Sequence, residues 1–528
     1  MKGRADILAL SVSLMLCLPS AGAGQSRSHD HFGRVDFANS CSAAVQETFQ
    51  RGVARLHSFW FDESAFRTVL AQDPACAIAT WGIAAVLIGN PFGGDGPSPQ
   101  SAQRAQVAID QGRRIGAQTQ RERDYIDAVA AYYQDWQNRP ERARQQFRAK
   151  AFESLAARYP DDAEAQIFYA LYLGSTQSLA DQTYASYLKA AAILEPLFVQ
   201  RPDHPGVAHY LIHCYDAPPI AHKGLPAARR YATIAPDSPH ALHMPSHIFT
   251  VVGAWAESAV TNERSAVASQ RLNDPAGQLH AMDFMLYAYL QVARDGDARR
   301  VVEDAARVPG ADPRRINPYS IAAIPARYAL ERGEWRQTTM LQPLGSKWMN
   351  VEALTHFARA LGAARSSDPD AAMRDVQRLG ALRDAIKQAK NDYWATEVEV
   401  SRLGAAAWTA WAQGKPEEAL GLMRSAADME DKSEKHIVTP ARLLPARELL
   451  GELLLELKRP ADALKEFETS QQREPDRFRG IYGAAQAAAQ GGDIAKAKRY
   501  FARLVEIAGQ GTGRPELAKA RAFLAANP

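Results

Sequence analysis

His209-Tyr-Leu-Ile-His213 and His243-Met-Pro-Ser-His247 are two histidine pairs set one structural period apart. Each pair is spaced by four residues, so on a helix its members share a face. The step from His209 to His243 is 34 residues, and so is the step from His213 to His247. A period of 34 is the length of one two-helix repeat. The pairs therefore sit on equivalent faces of equivalent helices in neighbouring repeats. His204, His222, His240 and His280 lie close by, which places eight of the chain's 13 histidines between residues 204 and 280.

The same register returns at the carboxyl end. Ala463 and Ala497 are 34 apart, as are Phe467 and Phe501. Each pair belongs to an Ala-x3-Phe pattern that puts a small residue at a helix crossing and an aromatic one turn later. Gly451 falls where the first helix of its unit crosses the second, and Pro475 ends that unit. Glu448–Leu457, Pro460–Gln472, Gly480–Gln490 and Ile494–Ile507 read as four amphipathic helices with short turns. Weaker copies of the turn appear at Gly414-Lys-Pro-Glu-Glu-Ala419, Gly333-Glu-Trp335 and Gly253-Ala-Trp255. Asp73-Pro74, Tyr159-Pro160, Arg201-Pro202 and Ala235-Pro236 read as helix stops. No strand pattern is visible, so the expected class is all-α. Gly89 to Pro99 reads as a flexible loop, Asp216 to Lys223 as an interruption of the array, and Asp428 to Lys435 as a solvated charged connector.

The first residues point to export. Lys2 and Arg4 precede the apolar run Ile7 to Leu18, and Ala21-Gly22-Ala23 offers small residues for cleavage before Gly24. That is the layout of a secretory signal peptide over residues 1–23. Cys17 raises lipidation as an alternative, but Leu16 before it is not the small residue such processing requires. The rest contains no run of about 20 apolar residues, so no membrane span is expected. The expected location is exported, periplasmic or secreted. Cys41 and Cys76 open two helices of consecutive hairpins, and an oxidising compartment would allow a bridge between them. Cys214 follows His213 and reads as a small buried apolar residue, with thiolate ligation as the alternative. The 528 residues carry 62 Lys plus Arg against 59 Asp plus Glu, with no basic block, which argues against a nucleic-acid partner.

These repeats and turns resemble those of tetratricopeptide repeat proteins over most of the chain. Leu56-His-Ser-Phe-Trp-Phe-Asp62, the run from Cys76 to Ala84, His209 to Asp216 and His240-Ala-Leu-His-Met-Pro-Ser-His-Ile-Phe249 also resemble a group of secreted bacterial repeat proteins. That resemblance brings no activity with it. It implies a tetratricopeptide-like α-solenoid, antiparallel helical hairpins stacked as a right-handed superhelix. The corresponding divisions are repeats over 24–200, histidine-rich repeats over 201–310, and further repeats over 311–430 and 431–528. In such proteins the first helix of each unit lines a concave groove that holds a peptide, and His209, His213, His240, His243 and His247 match groove positions. Pro245 departs from the pattern, because it removes a backbone donor and should kink or start a helix.

Histidines of adjacent helices, about 8–10 Å apart, can converge on one ion. The candidate ligands are His209, His213, His243, His247 and His280, with His240, Asp283 and Asp216 as further candidates. Asp283 and Asp216 could equally serve as supporting carboxylates. Tyr210, Tyr215 and Trp255 would wall the pocket. Zinc, copper and iron all accept imidazole, and spacing does not choose among them. The plainer alternative is that the histidines cap helices, bind buried carbonyls or contact a peptide; His57, before Phe59-Trp-Phe61, reads that way. No nucleophile elbow, phosphate loop or dinucleotide fingerprint is present, and neither histidine pair encloses the glutamate of a zinc protease. Three functions follow. One is an exported scaffold that binds a protein or peptide in its groove and holds a metal there. The second is a hydrolytic or redox metalloenzyme. The third is a metal carrier or sensor.

Overall fold

The computed structural model describes residues 31–94, 96–312, 316–345, 347–511 and 513–528. The signal segment 1–23 and His29 lie outside the described residues. Every regular element among the described residues is helical, and His31–Pro528 forms one compact unit. No helix among them is long and apolar enough to cross a membrane.

Consecutive helices pack as hairpins: Trp255–Arg271 on Pro275–Gln291, Met349–Arg365 on Pro369–Gln388, Asp392–Ala412 on Pro416–Glu430. Alternate helices also touch, as Met349–Arg365 does Asp392–Ala412, so each hairpin stacks on the next. This is an α-solenoid of the tetratricopeptide kind. Its carboxyl end shows why the Ala-x3-Phe pattern works. Ala463, Phe467, Ala497 and Phe501 are all buried. A Cβ at Gly451 would stand 2.7 Å from the Phe467 ring, and one at Gly483 would run into the same ring. Glycine on two flanking helices thus makes room for one aromatic side chain. Helices Ala446–Glu456, Pro460–Arg473, Phe478–Gln490 and Ile494–Ala508 match the four read from the sequence, and a further helix, Pro515–Ala526, follows them.

The solenoid also folds back on itself. Gln46–His57 packs against Pro205–Tyr215, and Pro275–Gln291 against Phe478–Gln490. Trp255 donates its indole N–H to the Asp476 carbonyl at 2.7 Å. The stretch expected to be a solvated connector, 428–435, is instead part of this closure. Ser433 and Glu434 are buried, the Glu434 N–H donates to the Leu179 carbonyl, and Tyr184 donates to the Glu434 carboxylate at 2.7 Å. One hydrophobic cluster runs from Phe32 to Phe249 across residue 200, so the histidine-bearing helices belong to the same core as the helices before them.

Cys41 and Cys76 sit at disulfide distance, with Cα atoms 4.8 Å apart. Cys214 is a buried thiol, its pKa raised by burial, which favours the neutral form over the thiolate.

Candidate metal centre

Three short helices and one long one carry the histidines. Pro205–Tyr215 holds His209 and His213. Pro239–His243 holds His240 and His243, and Pro245–Val251 holds His247. Pro275–Gln291 holds His280. Pro245 does start a new helix, yet the break keeps His243 and His247 together: their Nε2 atoms are 3.0 Å apart. Ser238 caps the 239–243 helix through the Ala241 N–H, and Ser265 donates to the Pro239 carbonyl, which fixes this helix against Trp255–Arg271.

The rings separate into two groups of three. His209, His213 and His240 offer nitrogens to one point; His243, His247 and His280 offer nitrogens to another, all within 4.8 Å of one another in each group. The expectation of one ion shared by His209, His213, His243 and His247 gives way to this division. Each i,i+4 pair turns its two Nε2 atoms toward each other, and a third ring from a neighbouring helix completes each set. His209 Nε2 is 3.1 Å from both His213 Nε2 and His240 Nε2. The two groups are adjacent: ring centroids of His213 and His247 are 6.2 Å apart, as are those of His240 and His243.

The other ring nitrogens fix the tautomers. His209 Nδ1–H donates to the His57 carbonyl at 2.7 Å, and His247 Nδ1–H donates to the Asp216 carboxylate at 2.8 Å. His243 Nδ1 lies 2.7 Å from Asn262 Oδ1. Asn262 is itself oriented, because its amide donates to the Ser258 carbonyl at 2.7 Å. It therefore presents oxygen, and His243 Nδ1 must carry the proton. This is how ligand histidines are normally supported. Nδ1 is used by protein, and Nε2 keeps only its lone pair. His213 Nδ1 is buried without a protein partner.

Aromatic rings enclose the cluster. Phe92 stacks on His213 with centroids 4.1 Å apart, and Phe59 covers His213 and His240 at 5.7 and 5.3 Å. Phe284 packs on His243 and His247 at 4.7 and 4.9 Å. Phe59 reaches this place through a left-handed backbone (φ 53°) just after the 46–57 helix, at a cost of about 1–2 kcal/mol. Burial, reinforced by the neighbouring rings, drives the pKa of His209, His213, His240, His247 and His280 well below 6.5. Burial also lowers His243, to about 4, against the opposing pull of Asn262 and Asp216. Neutral imidazoles are the form that binds metal. His240 and His280, one in each group, remain half-buried while the other four rings are fully covered.

Several expected residues sit elsewhere. Asp283 does not face the cluster: it is buried against Arg327, whose Nε donates to it at 3.2 Å. Asp216 supports His247 rather than joining either group, and Lys435 approaches it at 3.3 Å. Tyr210 does pack on His209, but Tyr215 donates to Glu195 and Trp255 packs edge-on against Tyr287. His222 is exposed. His57, read as a packing residue, is hydrogen-bonded in a second buried cluster. Its Nε2 and that of His204 each bond one oxygen of Glu164 at 2.9 Å. His57 Nδ1 accepts from Tyr210, and His204 Nδ1 accepts from the Val207 N–H. Asn262, Phe92 and Glu164 were not singled out from the sequence for the site. Asn262 lies mid-helix, and Phe92 sits in the Gly/Pro-rich loop.

No protein-family model matches the chain, and no curated protein is significantly similar to it. Solved structures that resemble it include a human IFIT1 dimer with m7Gppp-AAAA, at 10% identity over 89% of this chain and 96% of that one, TM-score 0.35. The same dimer with PPP-AAAA gives 9% identity over the same shares and a TM-score of 0.37. The APC/C hetero-tetramer Cut9-Hcn1 gives 12% identity over 92% and 96%, with a TM-score of 0.27. Likeness this loose leaves the fold to rest on the chain's own helices.

Proposed function

We propose that this chain is an exported helical-repeat metalloprotein whose two histidine groups each hold a transition-metal ion, the solenoid serving as their scaffold. One observation carries the reading. His243 and His247 both commit Nδ1–H to an oxygen acceptor, so both Nε2 atoms bear lone pairs, and these face each other at 3.0 Å. No hydrogen bond can form between two lone pairs, and protonating either ring places a charge in a dry pocket. A cation reconciles the pair. With metal–nitrogen bonds of about 2.0–2.1 Å, two nitrogens on one ion stand roughly 3.3 Å apart. The peptide-groove reading fits less well, because Phe59, Phe92 and Phe284 cover the rings that a peptide would have to touch. Export rests on the amino-terminal pattern and on the closeness of Cys41 and Cys76.

The test uses full-length protein without an affinity tag, equilibrated with zinc or copper at neutral pH and desalted. The expected content is two ions per chain, falling to one in H243A/H247A. Failure of the wild-type protein to retain either metal overturns the reading.

A further inference from the structure

We infer that the two ions are copper and that they bind dioxygen between them. The inference rests on the metal reading above and narrows it to one chemistry.

The ligand set points away from hydrolysis and from non-haem iron. Among the described residues, no carboxylate joins either histidine group. The nearby acids are committed: Asp283 to Arg327, Asp216 to His247 and Lys435, Glu164 to His57 and His204. A hydrolytic ion therefore lacks a free general base beside it, and the two-histidine, one-carboxylate arrangement of oxygen-activating iron is not formed. Six neutral imidazoles suit copper.

Charge points the same way. Asp216 is the anionic side chain hydrogen-bonded to the cluster, and Lys435 offsets it. Two divalent ions in this pocket would bring four positive charges with little to balance them. Two Cu(I) ions bring two. When dioxygen binds, each Cu(I) gives up one electron, one O–O bond order is lost, and peroxide dianion bridges two Cu(II). No proton or external reductant enters that step, and the net charge of ions plus ligand stays at two positive. The pocket is thus matched to both states.

Geometry supplies the rest. The groups adjoin along two edges, His213–His247 and His240–His243. Each group has one half-buried ring, His240 or His280, so a small molecule has a side to enter, while Phe59, Phe92 and Phe284 keep the fully covered rings dry.

Full-length untagged protein is stripped with a chelator, loaded with Cu(I) under anaerobic conditions, and exposed to dioxygen. The expected result is two coppers per chain and one dioxygen taken up per two coppers. A charge-transfer absorption band should appear, with no Cu(II) paramagnetic resonance signal because the two spins couple. H280A should hold one copper, take up no dioxygen and show an ordinary Cu(II) signal after air oxidation. If H280A fails to fold, wild-type protein loaded with one copper and one zinc should likewise take up none. Two coppers without dioxygen uptake, or oxidation to a full uncoupled Cu(II) signal, overturns the inference and leaves the metal reading standing. So does retention of zinc but not copper. Retention of neither metal overturns both.

Discussion

Two buried histidine clusters lie side by side in this molecule, and they differ in one countable property. In the His57–Glu164–His204 cluster every ring nitrogen meets a complementary partner: two N–H groups reach the two oxygens of one carboxylate, and the remaining nitrogens accept from a hydroxyl and a backbone N–H. In the six-histidine cluster the outer nitrogens are satisfied and the inner ones oppose each other. Residue type and burial are the same, so neither distinguishes a structural histidine from a ligand. The balance of donors and acceptors does.

The largest effect that would sharpen this contrast is removal of the carboxylate in the closed cluster. Glu164→Ala leaves two ring N–H groups without acceptors in the core, and it should cost about 3–5 kcal/mol of stability. It should leave metal content unchanged. Chemical denaturation of metal-free protein, with metal analysis alongside, measures both. Loss of metal with no loss of stability would break the contrast.

A smaller effect is expected on the open side. Asn262→Ala removes the acceptor that fixes His243, and metal affinity at its group should fall about 10–100-fold. Metal-free stability should change by less than in Glu164→Ala, because no opposed lone pair is created. A chelator competition titration reads the affinity. An unchanged affinity would mean that Asn262 does not set the His243 tautomer.

The smallest effect concerns a third buried polar group, intermediate between the two. Arg477 is fully buried between Glu331 and Glu448, both at 2.8 Å. One cation faces two carboxylates. Burial pushes the Glu448 carboxyl up to about 7, against the opposing pull of Arg477, with Glu331 adding to the rise. A carboxyl raised above its ordinary 4.5 contributes stability below that pH and loses it as pH rises through about 7. Stability should therefore decline between pH 5 and pH 8, and Glu448→Gln should flatten that decline by about 1.4 kcal/mol per pH unit at most. Parallel slopes in the two proteins would show that Glu448 is ionised throughout.

The 34-residue register makes the all-helical solenoid legible, because repeat-equivalent positions meet the same neighbours. It also brings His209, His213, His243 and His247 into view, with His240 and His280 beside them. The division into two groups is not legible. It depends on ring rotation and on a third ring from another helix, and periodicity carries neither. His280 and Asp283 show the limit well. Three residues apart they lie only about 60° around the helix, yet one meets His243 and the other Arg327. Glu164 and Phe92 were missed for a different reason. They arrive from earlier hairpins because the solenoid curls, and curvature accumulates from small packing angles that no short stretch of sequence displays. The same closure buries 428–435, whose charges look like solvated surface until Tyr184, Asp216 and Arg442 are placed against them.

The pairing of Lys435 with Asp216 spans 219 residues of chain. During synthesis the histidine helices emerge long before Lys435 does. They can stack on their neighbours at once, but the ionic surroundings of His247 are complete only when the carboxyl half has docked. A chain that stops short of this point carries all six histidines and an Asp216 without its counter-charge. The metal centre is thereby tied to the order in which the chain is made and closed, and a finished centre certifies a finished fold.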